Sequence, residues 1–197
     1  MNIICNNCVG ARLYEVTKQQ FPNSFMWMLI MHKDYINFIN EYDNLDLQNP
    51  KFELEIFNND KRKSVLITLN NIKLHYIHYI QDESKEIPVK EKSTNILYKD
   101  ILSYAKNKWF SRLNRSKEEP IFLFSFNYFS KNDKNQYYSI LEELLKIKNK
   151  KLLILVHEGI KIEKEISDNI KIIYCSDDIM KLDGDALANS LKNMIFN

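Results

Sequence analysis

Glycine and proline are scarce in this chain, with 3 and 4 copies in 197 residues. They are the residues that punctuate a fold most sharply, so their scarcity predicts long regular elements and leaves few turns marked by composition. Long apolar runs are also missing. None approaches the ~20 residues needed to span a bilayer, and the longest, around Phe25–Met31 and Ile121–Phe126, read as core strands or short helices. That excludes a membrane-spanning reading and leaves peripheral membrane contact open. The amino terminus has no basic region followed by a hydrophobic stretch, so a cytoplasmic location is expected rather than secretion. Charge of either sign is not in excess: 28 Lys and Arg stand against 26 Asp and Glu, a net +2. A field that weak argues against nucleic acid as partner and requires any anion site to be a local cluster. The three cysteines, Cys5, Cys8 and Cys175, are too few and odd in number for a disulfide framework and are read as thiols. Cys5 and Cys8 have the spacing of half a zinc motif, but no second ligand pair follows, so no metal is expected. A Gly-rich phosphate loop, a dinucleotide fingerprint and a Gly-x-Ser-x-Gly elbow are all lacking, which disfavours the classical nucleotide-fold enzymes.

What is present is a globular composition, 45% hydrophobic and 12% aromatic, in a length that suits one domain over residues 1–197. Asn2–Cys5 reads as a short buried strand and Val9–Gln20 as a helix capped by Asn6 and Asn7. Lys33–Tyr42 has helical spacing of Tyr35, Ile36, Phe38 and Ile39. From Lys51 the period changes: Phe52, Leu54 and Ile56 alternate with charged residues, then Ser64–Leu69 follows across a turn at Asn59–Asp60, then Ile72–Ile80. A polar loop spans Gln81–Ser93. Beyond it, helices at Ile96–Arg112, Lys134–Ile147 and Asp185–Ile195 (entered through Asp183–Gly184) alternate with apolar strands at Ile121–Phe126, Leu152–Val156 and Ile170–Tyr174. Uniformly apolar strands separated by helices predict a three-layer α/β fold, its mostly parallel sheet covered by helices on both faces, with an antiparallel hairpin added in the first half. Ligands of such sheets gather at the carboxyl ends of the strands, which would bring Asn6–Gly10, Phe126–Ser130, His157–Gly159 and Ser176–Asp178 to one rim.

Cys8 follows the first strand at the start of the first helix, where unpaired amides and the helix dipole lower a thiol pKa. It is a candidate nucleophile, against the plain alternative of a small packing residue; Cys5, inside the strand, is core. A thiol nucleophile needs a base, and His75 and His78 in Leu74–Tyr79 are the candidates, each weighed against a histidine satisfied by a backbone carbonyl. His157 ends a strand at a position suited to substrate contact, and His32 reads as a surface residue at a helix start. Lys108, Arg112 and Arg115 share one helix face; an anion would relieve their repulsion, and Trp109 could stack on a base or sugar ring. A solvated basic face is the bland reading of the same residues.

Ile3-Ile4-Cys5-Asn6-Asn7-Cys8-Val9-Gly10 through Tyr14, Asn23-Ser24-Phe25 and Asp34-Tyr35-Ile36, with the histidine-tyrosine segment Leu74–Tyr79 and the Lys-Trp-x-x-Arg-x-x-Arg stretch Lys108–Arg115, resemble a bacterial family, the domain-of-unknown-function family numbered nineteen-nineteen. The resemblance runs over residues 3 to 156, with Val9 standing where that family often has Trp. It implies a part in exopolysaccharide or capsule biosynthesis. The Asn-Asn-Cys turn is also similar to the Gly-Asn-Cys turn of capsule enzymes that bind coenzyme A and acylate sugars. The expectation is therefore an acyltransferase of cell-surface polysaccharide (capsule, exopolysaccharide or lipopolysaccharide) with acyl-coenzyme A as donor and a sugar or glycan as acceptor. Cys8 would be nucleophile and His75 or His78 base; Asn6, Asn7 and the amides through Gly10 would hold the oxyanion, and Trp109, Arg112, Arg115 and His157 would bind donor and acceptor. The alternative is a non-catalytic or glycosyl-transferring sugar-phosphate binder that grips an anionic glycan with the basic helix, and a cysteine hydrolase differs from the transferase only in its acceptor. Thiol reactivity separates an activated Cys8 from a packing one: alkylation of the wild-type protein, but not of Cys8→Ala, should proceed rapidly at neutral pH with an apparent pKa below about 8.5, the value of a free thiol.

Overall fold

The computed structural model describes residues 2–7, 9, 13, 23–25, 28–56, 63–81, 89–90, 97–98, 101–116, 119–126, 129 and 132–176, and their side chains except those of 56, 63, 77–81, 89–90, 97–98 and 115. In chain order the elements are β1 (Asn2–Cys5), α1 (His32–Glu41), a 3-10 turn (Tyr42–Asn44), β2 (Lys51–Ile56), β3 (Lys63–Leu69), β4 (Ile72–Gln81), β5 (Val89–Lys90), β6 (Leu97–Tyr98), α2 (Ile101–Ser116), β7 (Pro120–Ser125), α3 (Lys134–Leu145), β8 (Lys151–His157) and β9 (Ile170–Cys175). The expected turn at Asn59–Asp60, the helix Asp185–Ile195 with its entry, and most of Val9–Gln20 lie outside the described residues; within that last stretch, Val9 and Leu13 are helical and buried.

The fold is α/β, with a parallel sheet in the order β1-β7-β8-β9 and an antiparallel sheet β2-β3-β4. Because side chains alternate between faces along a strand, the unbroken burial of β1 and of residues 122–125 means that both faces of the parallel sheet are covered. One face carries Phe122 and Phe124, which meet Tyr35, Phe38 and Tyr42 edge-on or tilted at 5.3–6.5 Å. These three rings come from α1 and its 3-10 extension, and their helical spacing is what lines them up on the sheet. The first-half addition is a three-stranded meander rather than a hairpin. Its buried residues Val65, Ile67, Leu74 and Tyr76 share one face and pack against α2, whose Tyr104, Ala105 and Trp109 are also buried.

The helix expected at Ile96–Arg112 runs instead over Ile101–Ser116. Leu97 and Tyr98 are drawn into a two-stranded pair with Val89 and Lys90, so the expected polar loop contains a strand, and tertiary pairing outweighs local helical periodicity there.

The two sheets are joined at Asn6. Its main-chain N–H continues the β1–β7 ladder to the Leu123 carbonyl at 3.2 Å, while its C=O turns to the other side and accepts from Ile30 N–H at 2.9 Å. Leu29, one residue earlier, exchanges two hydrogen bonds with His75 of β4, at 2.8 and 2.9 Å. The rung that Asn6 vacates is filled by its own side chain: Oδ1 accepts from Ser125 N–H at 2.9 Å and Nδ2 donates to Ser125 O at 3.3 Å. A carboxamide reproduces a peptide group's donor and acceptor, so the ladder runs one step past the point where the chain leaves it. Asn6 is 4% exposed, and its loss would leave buried main-chain groups without these partners. Asn6→Ala should lower the unfolding free energy by about 1–3 kcal/mol, or about 2–4 °C in Tm per kcal/mol for a chain of this size. Urea unfolding measures this, and a change below about 0.5 kcal/mol, the range of ordinary surface substitutions, would refute the role.

Candidate functional site

The four strands β1, β7, β8 and β9 run parallel, so Asn6, Asn7, Phe126, His157 and Ser176 come to the same, carboxyl, edge. β1 is also where the chain departs in two directions, to Leu29–Ile30 on one side and to β7 on the other. That makes its carboxyl end a topological switch point, the position at which α/β sheets open a crevice for ligand.

At that switch point Asn7 is buried and its Oδ1 accepts from Val9 N–H at 3.0 Å. This is an Asx-type cap, as its place ahead of a helix predicts. Cys5 is core, its thiol directed at the Asn6 and Asn7 amide oxygens. The Asn6 side chain, expected to help hold an oxyanion, has its Oδ1 and one Nδ2 N–H engaged by the Ser125 main chain. Cys8 and Gly10 lie outside the described residues.

His75 is reached from Asn6 through two hydrogen-bonded steps, Ile30 and then Leu29. At about 4.8 Å per strand spacing, its backbone lies about 10 Å from that of Asn6. Its Nδ1 is 2.8 Å from Glu55 Oε1, with the two side chains 16% and 18% exposed. The same oxygen accepts from the Ser64 hydroxyl at 3.1 Å. Glu55, Ser64 and His75 stand on the face of the meander opposite Val65 and Leu74, one on each strand. The side chain of His78 lies outside the described residues.

The structure separates the basic helix from this edge and turns part of it inward. Trp109 is 1% exposed, packed against Phe25 at 5.2 Å and Phe52 at 6.2 Å, with its indole N–H donating to Leu47 O at 3.0 Å. The expectation that it stacks on a ligand ring is corrected: its size and apolarity made it a core anchor of α2. Lys108 is likewise buried, its ammonium donating to Tyr104 Oη at 3.1 Å and lying over the Tyr104 and Tyr76 rings. Spacing alone cannot tell a solvated basic face from a lysine drawn between aromatic rings. Arg112 is half-buried on the same helix, and the Arg115 side chain lies outside the described residues.

Along the same rim His157 is buried against α3. Its main-chain N–H donates to Tyr137 Oη at 3.0 Å, and its Nδ1 lies 3.2 Å from the same oxygen. Asp133 Oδ1 caps α3 by accepting from Gln136 N–H. His32, at the start of α1, packs edge-on against Phe129, and its pKa is lowered, first by burial and then by Lys33. Glu55 and Tyr137 escaped the sequence reading. Strand alternation places Glu55 on a polar face, but only the register of two successive hairpins brings it to His75. Tyr137 carried only the signal of an amphipathic helix.

Among the described residues no group of three or more His, Cys, Asp and Glu is placed to hold a metal, and no helix is long and apolar enough to cross a membrane. Cys175, beside His157 on β9, is disfavoured as a nucleophile: burial first, and the Glu158 carboxylate second, push its thiol up to about 11 from 9.0. The folded protein therefore holds this proton where the unfolded chain has released it. The contribution to stability is complete below about pH 9 and is lost as pH rises through about 11. Unfolding curves from pH 8 to 11.5 should show wild-type stability falling more steeply than that of Cys175→Ala; parallel curves would remove the thiol from the cause.

Residues 1–102 match the family model described as Domain of unknown function (DUF1919). The matched half contains Asn6–Gly10, Glu55, His75 and His78, and it stops short of Lys108–Arg115 and His157. No curated protein matches the chain. With its first half matched from β1 through the meander to the start of α2, the chain belongs to the DUF1919 family.

Proposed function

We propose that this protein is a bacterial cytoplasmic acyltransferase of capsule, exopolysaccharide or lipopolysaccharide biosynthesis, moving an acyl group from coenzyme A to a sugar hydroxyl. The observation that carries this reading is the hydrogen-bonded path from Asn6 through Ile30 and Leu29 to His75. It puts the His75 backbone about two strand spacings, about 10 Å, from that of Asn6, and Cys8 follows Asn6 by two residues in the sequence. The likeness of the Asn-Asn-Cys turn to that of coenzyme A-dependent sugar acylases supports the choice of donor.

In the first half-reaction the Cys8 sulfur attacks the thioester carbonyl while His75 takes the thiol proton. The carbon–sulfur bond to coenzyme A breaks, and His75 returns the proton to the departing thiolate. In the second, a sugar hydroxyl attacks the acyl-Cys8 carbonyl, His75 accepts the hydroxyl proton, and the Cys8 sulfur leaves and is reprotonated. Backbone amides at the start of the first helix are the natural stabilisers of both oxyanions. A sugar-phosphate binder built on the basic helix is the weaker reading, because Trp109 and Lys108 serve the core.

Intact mass after incubation with a panel of acyl-coenzyme A donors provides the test. Wild-type protein should gain one acyl mass with at least one donor, Cys8→Ala should gain none, and His75→Gln should acylate about 10²-fold more slowly, the lower end of what a general base supplies. An adduct that persists in Cys8→Ala, or none in wild type with any donor, overturns covalent transfer.

A further inference from the structure

We infer that Glu55 is the positioning residue for His75, holding its imidazole in the Nδ1–H form so that Nε2 is the atom that accepts a proton. This deepens the acyl-transfer reading, since it rests on His75 as its base.

The inference begins with atom types. An ionised carboxylate only accepts hydrogen bonds, so a 2.8 Å contact between His75 Nδ1 and Glu55 Oε1 requires the proton to sit on Nδ1. Neutral histidine in water prefers its proton on Nε2, so the pairing works against the intrinsic preference of the ring and makes the Nε2 lone pair the basic one. The same carboxylate stabilises the imidazolium that forms once Nε2 has taken a proton, the role an acidic partner plays wherever a histidine serves as base.

The surroundings are built to hold this geometry. Glu55 lies opposite Ser64 in the β2–β3 register, and the Ser64 hydroxyl, wholly buried, donates to the same Oε1 that faces the imidazole. A carboxylate gripped from a neighbouring strand cannot swing to another rotamer without breaking that bond. On the histidine side, the His75 main chain exchanges both of its hydrogen bonds with Leu29 and lies opposite Leu66 in the β3–β4 register. Acid, hydroxyl and imidazole thus sit on three consecutive strands of one sheet, Ser64 at the point where the β3–β4 register shifts. With both side chains more than four-fifths buried, the pair is not the exposed ion pair whose coupling water screens away.

Long-range proton–nitrogen NMR correlation of the imidazole ring tests this without any substrate. At about pH 8, above the ordinary histidine range, the His75 signals, assigned by their disappearance in His75→Gln, should show a protonated, pyrrole-type Nδ1 and an unprotonated, pyridine-type Nε2. In Glu55→Leu, which removes the acceptor, the Nε2–H form that neutral histidine prefers should become the major one. A wild-type His75 protonated on Nε2 overturns the assignment whether or not the variant folds, and so does an Nδ1–H form that stays dominant in Glu55→Leu. The result is independent of the acyl-transfer reading: an Nδ1–H imidazole in a protein that no acyl donor modifies would leave Glu55 as the positioning residue and remove only the transfer chemistry.

Discussion

One buried carboxamide ties this molecule together. Asn6 commits its main-chain N–H to Leu123 of β7, its main-chain carbonyl to Ile30 on the opposite flank, and both ends of its side chain to Ser125. A buried polar group is tolerated only when its hydrogen bonds are made, and here they reach both flanks of β1. Without them β1 would end at Cys5 with open positions on either side, and the segment carrying Leu29 would have no anchor from which to reach β4. The coupling of the parallel sheet to the meander, and hence the approach of His75 to the switch point, follows from this one residue.

Around that junction the rings of α1 and α2 provide the apolar mass. Tyr35 combines both functions: its ring packs on Phe122 and Phe124, while its hydroxyl accepts from Leu123 N–H and donates to Ile4 O. Burial accordingly holds its pKa well above the ordinary tyrosine value. Ser24 and Ser116 do similar work at the other end of the core. The Ser24 hydroxyl donates to Trp109 O and the Ser24 N–H to Ser116 Oγ, which fastens Ser24 to α2 at two points. Polar atoms inside a core this aromatic act as registration points, since each can be satisfied in one arrangement.

The candidate site is divided between two kinds of scaffold. The carboxyl edge of β1 carries Asn7, whose side chain caps the Val9 N–H, with Cys8 between them in the sequence. The meander supplies a histidine, an acid and a hydroxyl on an antiparallel ladder, where cross-strand register fixes side-chain neighbours. His157 and Tyr137 lie farther along the parallel rim, outside the half of the chain that the family model matches. This locates the matched half around β1 and His75.

The strands other than β5 and β6, the helices α1 and α3, the α/β class and the parallel direction of the second half were legible in the sequence, because apolar runs and a period of 3.6 or 2 report directly on burial. Asn7 as a cap and Cys5 as core were legible for the same local reasons. Tertiary structure decided the rest. Whether Trp109 and Lys108 face solvent or core depends on what α2 packs against, which no helical spacing encodes, and Leu97–Tyr98 became a strand because Val89–Lys90 was there to pair with it. Glu55 meets His75 only through the register of two hairpins, and Asn6 is a junction only because Ile30 and Ser125 arrive on either side of it. Local pattern determines which residues are buried and in what element; the identity of their partners is a long-range matter that packing and hydrogen-bond satisfaction settle together.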